Sequence, residues 1–225
     1  MKARASLALI LCTSLVLGVG GVAVAMLESS AFFDAGVTPR ERFNAFADGD
    51  TVVGVSTTSE MLVLGNCHEA LDSIFAHTQP AGRRHLVATN CMAIADAILA
   101  REPAYSFAWY VTALAAAELE DAQGLSFRLG RSQQTGPSEQ WIAERRVDTA
   151  EDHLTALTPG VRKGHDRDLI LLAQSRRGVD SIARRYVRQP DFRNRITALV
   201  EQLDPEAQRR FLAYVQDAAR RVTGG

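Results

Sequence analysis

Lysine is nearly missing from this chain: among 25 basic residues only Lys2 and Lys163 are lysines, and all the others are arginines. Arginine suits bidentate binding of phosphate or carboxylate groups, but a GC-rich coding bias produces the same composition. Also missing are the H-E-x-x-H, C-x-x-C, G-x-G-x-x-G, P-loop and G-x-S-x-G motifs, which excludes the zinc, nucleotide and serine-hydrolase sites that they build. We therefore expect no catalytic residue, no metal site and no cofactor.

A strong charge of either sign is missing as well. The net charge is −1, which argues against a nucleic-acid-binding protein. The charge is uneven, since residues 1–139 hold 9 basic and 14 acidic side chains and residues 140–225 hold 16 and 12. Hydrophobic residues at 47% and charged residues at 23% are typical of a globular domain, so most of the chain is expected to fold.

The chain does have one long apolar run, residues 7–27, behind Lys2 and Arg4. Its 21 residues match the length of about 20 that crosses a bilayer as a helix. Basic residues in front and none just behind predict a single-pass inner-membrane protein with a cytoplasmic N-terminus and a periplasmic C-terminal domain. The alternative is secretion to the periplasm after cleavage following Ala25, because residues 23–25 read Ala-Val-Ala.

After this segment, residues 1–27, we expect a linker over residues 28–58 and an all-α domain over residues 59–225. Apolar residues recur at helical spacing through the domain, and proline or glycine separates the helices. Thr158-Pro159 and Asp204-Pro205-Glu206 are typical helix starts. The chain should therefore form antiparallel helix hairpins preceded by one N-terminal transmembrane helix.

Two of the three cysteines are placed for a disulfide. Facing residues in an antiparallel hairpin have a constant sum of positions, and Cys67 and Cys91 are symmetric about position 79, where we predict the turn. In an oxidising periplasm a bond between them would stabilise the fold by ~3 kcal/mol in the chain-entropy model. The alternative is two reduced cysteines that are buried as small apolar side chains.

The centre of the chain has a spacing of 34 residues between Pro103 and Pro137, with two apolar helical segments between them. This segment resembles the tetratricopeptide repeat, a helix–turn–helix unit of 34 residues. The resemblance assigns repeat packing positions to Trp109, Ala113, Leu125, Leu129 and Pro137. It implies a right-handed array of hairpins that binds other proteins through a concave surface and needs no catalytic residue.

A second resemblance is carried by Pro-Ala-Tyr-Ser-Phe-Ala-Trp at residues 103–109 and Thr-Gly-Pro at residues 135–137. Over about residues 60–215 the chain is similar to small membrane-anchored helical proteins of proteobacteria that are associated with envelope polysaccharide. The resemblance transfers no catalytic residue. It implies a scaffold or adaptor that binds another envelope protein in polysaccharide biosynthesis or export.

The possible partner surface combines aromatic residues with arginines from consecutive pairs: Tyr105, Trp141, Arg145, Arg146, Arg184 and Arg185. Neighbouring acidic residues can pair with these arginines, so a solvated, salt-bridged helix surface is the simpler interpretation. A basic groove that binds anionic lipid headgroups or polysaccharide is an alternative function.

Acidic residues suggest two further alternatives. An enzyme acting on glycans, or its accessory subunit, would need acids in a cleft, and the clustered ones lie in a predicted turn, where solvation also explains them: Glu118, Glu120 and Asp121. His68, Glu69 and Asp72 lie on one helical turn and could bind a metal ion, although a solvated helix surface is the simpler interpretation.

Overall fold

The computed structural model describes residues 2–33, 38–49, 51 and 53–223; side chains are described for residues 10–26, 28 and 29 of the first helix, and residue 223 has its backbone only. The described residues contain no strand, which confirms the all-α fold. The helices are α1 (Lys2–Phe33), α2 (Pro39–Asp48), α3 (Thr57–Asp72), α4 (Ile74–His77), α5 (Ala81–Arg101), α6 (Ser106–Glu118), α7 (Ala122–Thr135), α8 (Gln140–Asp152), a 3₁₀ turn (Leu154–Ala156), α9 (Pro159–Gln174), α10 (Gly178–Arg188), α11 (Pro190–Val200) and α12 (Pro205–Thr223).

The chain divides into two compact units, Met1–Ile94 and Ala95–Gly225, with the boundary inside α5. Of the predicted membrane span, residues 7–27, the side chains of residues 7–9 and 27 lie outside the described ones. Among the described residues no helix is both long and apolar enough to cross a membrane.

The first unit contains a packed helix within the segment that we expected to be a linker. Thr38 and Glu41 form a capping box at the start of α2, and Gly49 ends the helix in the left-handed conformation with φ 80°. The helix buries Phe43 and Phe46 completely. Asn90 of α5 donates a hydrogen bond to the carbonyl oxygen of Phe46 (2.7 Å), so α2 is joined to α5.

Cys67 of α3 and Cys91 of α5 lie at disulfide distance, with their Cα atoms 5.6 Å apart. Both are fully buried. The bond closes a loop with a sequence separation of 24 residues, across the break at residues 78–80 between α4 and α5. The pairing predicted from the hairpin geometry is therefore present in the structure.

The second unit begins with a helix hairpin formed by α6 and α7. Glu120 adopts the left-handed conformation in the connection (φ 58°), and the Asp121 carboxylate accepts a hydrogen bond from the Gly124 amide (2.8 Å). Along the chain the next pair is α8 and α9. Because α6 contacts α8 and α7 contacts α9, the two pairs stack on each other.

The core of the second unit lies mainly among α8 to α12. It comprises Ala143, Val147, Leu169, Leu172, Ala173, Val179, Ile182, Phe192, Ile196, Val200 and Phe211. Small residues allow close helix contacts at its edge: a Cβ at Gly130 of α7 would lie 3.0 Å from the Val161 side chain of α9. The absence of a side chain at Gly130 therefore lets α7 and α9 approach closely.

Two helix starts predicted from local sequence are confirmed. Thr158 adopts an extended conformation before α9, which has Pro159 at its first position. Asp204 precedes α12 and accepts hydrogen bonds from the amides of Glu206 (3.0 Å) and Ala207 (2.9 Å). These backbone hydrogen bonds, that from Ala207 first, hold the pKa of Asp204 below its ordinary value.

Candidate functional site

A surface cluster of Phe107 on α6 and Trp141 and Arg145 on α8 forms the main candidate site; we call it the α6–α8 cluster. Trp141 is 42% exposed, and its ring packs on that of buried Phe107 with centroids 4.7 Å apart. The Arg145 guanidinium lies 5.3 Å from the Trp141 centroid and 5.9 Å from that of Phe107. Both distances are within the range of cation–π attraction.

Arg145 is held in place without an acidic partner among the residues that the structure describes. Its Nη1 donates a hydrogen bond to the carbonyl oxygen of Trp141, one turn earlier (3.1 Å). Its Nε is buried and donates to no acceptor, and no carboxylate in the described part of the chain forms an ion pair with it. The cluster therefore presents an ordered, uncompensated positive charge beside an exposed aromatic ring.

A related cluster lies between α6 and α7. Trp109 packs edge-on against Phe127, which is 60% exposed, and Arg131 lies 5.2 Å from the Trp109 ring centroid. The Trp109 Nε1 donates to the carbonyl oxygen of Pro103 (2.9 Å). Trp109 is thus only partly buried, and it joins the first proline of the predicted repeat to the α6–α7 hairpin.

Arg146 does not lie on the surface, so its assignment to the partner surface is wrong. It is fully buried, and its Nε and Nη2 donate to the two carboxylate oxygens of Asp168 (2.8 and 2.5 Å). Its Nη1 donates to the carbonyl oxygens of Ser132 (3.3 Å) and Gly136 (3.1 Å). Burial raises the pKa of Asp168, and the hydrogen bonds from Arg146 oppose that rise.

These contacts make a buried node that joins four helices. Arg146 belongs to α8, Asp168 to α9, and Ser132 to α7. The Ser132 hydroxyl in turn donates to the carbonyl oxygen of Ser106 at the start of α6 (2.9 Å). The node thus connects the same helices that carry the α6–α8 cluster.

Arg184 and Arg185 on α10 are ion-paired and are not part of the cluster. Arg184 pairs with Asp180, and Arg185 contacts Asp148 (2.8 Å) and Asp152 (3.5 Å) of α8. Ion pairs also occur on α12, where hydrogen bonds from Arg221 and Arg220 lower the pKa of Asp217. A solvated helix surface with ion pairs therefore accounts for these arginines.

The other predicted repeat positions are mostly packing residues. Ala113, Leu125 and Leu129 are buried between helices of the second unit. Pro137 is exposed just after α7, and Tyr105 is partly buried just before α6.

The structure adds little support for a glycan-acting site at the clustered acidic residues or for a metal site near His68. Asp121 is engaged as the cap of α7, and Glu120 is exposed in the connection before it. In the described ranges no group of three or more His, Cys, Asp or Glu side chains is arranged to hold a metal ion, and this includes the residues around His68.

Glu28, the residue after the apolar segment, joins α1 to the start of α3 within the first unit. Its Oε1 accepts hydrogen bonds from the amides of Val55 (2.7 Å) and Ser56 (2.9 Å), and its Oε2 accepts from the hydroxyls of Ser59 (2.5 Å) and Ser56. These bonds, led by those from the two serine hydroxyls, lower the pKa of Glu28 to about 2. The carboxylate is therefore charged and bound at the N-terminus of α3.

Comparison with known proteins gives no family: no protein-family model matches the sequence, and neither a curated protein nor a solved structure is significantly similar to it.

Proposed function

We propose that the chain is a non-catalytic adaptor of the cell envelope, held at the inner membrane by its first helix, that binds another envelope protein through its second unit. The resemblance at residues 103–109 and 135–137 favours a role in the assembly or export of surface polysaccharide. One observation carries the proposal: Arg145 is stacked on exposed Trp141 and has no acidic partner among the described residues.

The α6–α8 cluster has the chemistry of a protein-binding hot spot. Tryptophan and arginine are enriched at such sites because they remove much apolar surface from water and still offer hydrogen-bond donors. Arg145 is already held by the Trp141 carbonyl oxygen and by two rings, so little side-chain entropy is lost when a partner binds. We expect a partner segment with a carboxylate for Arg145 and an apolar side chain that covers Trp141.

The stacking of helix pairs supports a repeat-like array as the scaffold of this surface. Equivalent helices of successive hairpins, α6 and α8, are in contact, as are α7 and α9. Repeat proteins bind partners through extended surfaces built by such equivalent helices. The α6–α8 cluster lies on one pair of them, which favours the tetratricopeptide-like arrangement with its right-handed stacking.

The membrane attachment is supported by the described side chains of α1. Large apolar residues there are 48–76% exposed: Ile10, Leu11, Leu15, Val16, Leu17, Val19, Val22, Val24 and Met26. Exposed apolar surface of this extent requires a lipid or protein cover. Glu28 then joins the end of this segment to α3, so that the adaptor would be attached without a flexible hinge at that point.

Anionic lipid binding by the arginine pairs has less support than protein binding. The arginines of α10 and α12 largely have carboxylate partners within their own unit, as Arg184 and Arg185 illustrate. An arginine in such a pair must give up its partner before it can bind a headgroup, which reduces the net gain.

The experiment is purification of the full-length chain, tagged at its C-terminus, from mild-detergent membranes, with quantification of co-purifying proteins by mass spectrometry. We expect an envelope protein in stoichiometric amount with the wild type. With the double variant Trp141→Ala/Arg145→Gln, the amount of co-purifying partner should fall at least about tenfold. The reason is that hot-spot truncations cost at least about 2 kcal/mol of binding free energy each.

A matched control removes an exposed apolar side chain and an exposed arginine elsewhere in the second unit: Leu212→Ala/Arg188→Gln. This variant should retain the partner. Equal retention by both double variants would refute the assigned surface. A partner-free protein that begins at Met26 would refute the anchored adaptor altogether.

A further inference from the structure

A cleft of about 410 Å³ lies in the second unit and shares no residue with the α6–α8 cluster. Three elements line it, the 3₁₀ turn, α9 and α11, through Leu154, Thr155, Arg162, His165, Asp166 and Arg195. Its volume is within the range of about 300–1,000 Å³ that is usual for small-molecule sites. The cleft therefore has room for an organic molecule.

His165 is the buried polar group of the cleft, with a side chain only 1% exposed. Its Nε2 lies 2.5 Å from Oε1 of Glu151, at the end of α8. Its Nδ1 is buried and has no hydrogen-bond partner in the described part of the chain. A buried unpaired ring nitrogen costs free energy, and a bound ligand would supply the missing hydrogen bond.

Glu151 fixes the orientation of this ring. Burial alone would raise the pKa of Glu151, but hydrogen bonds from His165 and Arg195 outweigh burial and leave that pKa below its ordinary value. Because the carboxylate only accepts, Nε2 of His165 carries the hydrogen. Nδ1 is then an acceptor in the neutral ring and a donor in the imidazolium, so it can meet a hydroxyl or an anionic oxygen.

The remaining polar groups of the cleft include both signs of charge. Arg162 is exposed, and no carboxylate within the described residues forms an ion pair with its guanidinium. Asp166, one helical turn later, likewise has no cationic partner among them. Arg195 forms an ion pair with Glu151 through Nη1, and its side chain is still 31% exposed. The cleft thus offers two guanidinium groups and one carboxylate.

We propose that this cleft binds a small hydroxylated anion, a sugar phosphate or a sugar acid. Arg162 and Arg195 would bind the anionic group, because a guanidinium matches phosphate and carboxylate oxygens. Asp166 would accept hydrogen bonds from sugar hydroxyls, as would Nδ1 of His165 in its neutral form. A bare anion fits less well, since the charges of Asp166 and Glu151 offset those of the two arginines.

The proposal is tested by isothermal titration calorimetry, which measures the affinity of the full-length chain in mild detergent for four probes: glucose 6-phosphate, glucuronate, glucose and inorganic phosphate. We expect at least one of the two anionic sugars to bind at least about tenfold more tightly than glucose and than inorganic phosphate. Arg162→Gln should weaken that binding about tenfold, because hydrogen bonds to charged groups are the strong ones. The matched control Lys163→Gln removes one positive charge from the next position, outside the cleft, and should change affinity less than twofold.

Two further variants separate the roles of the lining groups. His165→Gln retains an amide donor at the position of Nε2 for Glu151 and removes Nδ1, so binding should weaken several-fold while the unfolding midpoint stays near that of the wild type. Asp166→Asn removes a negative charge from the cleft, so inorganic phosphate should bind more tightly. The difference in affinity between the anionic sugar and inorganic phosphate should then become smaller.

Four outcomes would overturn the proposal. They are inorganic phosphate binding as tightly as the anionic sugars, glucose binding as tightly as they do, no binding of any probe at millimolar concentration, and equal affinities for Arg162→Gln and Lys163→Gln. None of these measurements involves the envelope partner, so failure here is distinguishable from failure of the adaptor function.

Discussion

Replacing Arg146 by methionine tests the buried node most directly, because methionine retains an unbranched side chain and removes every hydrogen-bond donor. Asp168, which is 3% exposed, would remain in the core without a cation. The carbonyl oxygens of Ser132 and Gly136 would each lose the hydrogen bond from Nη1. Breaking a buried ion pair from one side costs about 3–5 kcal/mol of unfolding free energy, since an uncompensated charge is left behind.

In a chain of this length, a loss of 1 kcal/mol lowers the midpoint temperature of thermal unfolding by about 2–4 °C. Arg146→Met should therefore lower that temperature by about 6–20 °C at pH 7.5. The loss should depend on pH with a defined sign. Without Arg146, burial raises the pKa of Asp168 further, and the folded variant then holds a proton that the unfolded chain releases. Stability of the variant falls as pH rises through that pKa, so its deficit should be smaller at pH 4.5 than at pH 7.5.

The assays are thermal unfolding and urea unfolding of the full-length chain in mild detergent, each monitored by far-UV circular dichroism at both pH values. Arg146→Met/Asp168→Leu is the control, because leucine has the branching of aspartate without its charge. Replacing both partners of a buried pair by apolar residues is often neutral, so the double variant should recover most of the loss. A loss below about 1 kcal/mol for Arg146→Met, or a double variant as unstable as the single one, would refute the reasoning.

Three further predictions concern the first unit. The pKa of Glu28 is lowered to about 2 from 4.5, so its stabilising contribution is complete above pH 4.5 and disappears as pH falls toward 2; amides that donate to it should lose hydrogen-exchange protection over that range, and Glu28→Gln should show no such step. Gly54→Ala would place a Cβ 2.6 Å from the Cβ of Ser59, and it should remove the same protection at pH 7. Cys67→Ala/Cys91→Ala should lower the free energy of unfolding of this unit by about 3 kcal/mol in denaturant titration, and an unchanged value would contradict a formed disulfide.

Local signals predicted the helices well because each signal acts within a few residues. Pro159 favours a helix start through its fixed backbone angle, and Asp204 caps its helix by accepting hydrogen bonds from two nearby amides. The pairing of Cys67 with Cys91 was predictable for a related reason. A turn near position 79 is enough to bring the two positions level, and no knowledge of other helices is needed.

The roles of the arginines were less predictable, because an ion pair depends on which helices become neighbours. Arg185 pairs with Asp148, 37 residues earlier, and Arg145 pairs with no acid in the described part of the chain. One signal for burial was present in the sequence. Arg146 lies three residues after Ala143 and four before Ala150, both buried, and therefore belongs to the apolar stripe of α8.

The cleft around His165 carried no such signal. Its lining residues come from the 3₁₀ turn, α9 and α11, and the carboxylate that orients the ring comes from α8. Residues that are 14 and 30 positions from His165 meet it only after four elements have packed. Spacing within one helix therefore does not identify the site, because no short sequence motif contains these residues together.

The consecutive residues Arg145 and Arg146 link the candidate surface to the core. Neighbouring positions on a helix differ in direction by about 100°, so one arginine can lie over surface rings while the next enters the interior. Arg146 fixes the carbonyl oxygens of Ser132 and Gly136, which lie in the segment that leads to Trp141. Apolar side chains in place of the ion pair could supply equal stability, but they would form no directional hydrogen bonds to the carbonyl oxygens of Ser132 and Gly136. The buried charge therefore fixes α8, which carries Trp141 and Arg145, against α6, which carries Phe107, and the geometry of the surface follows from the node beneath it.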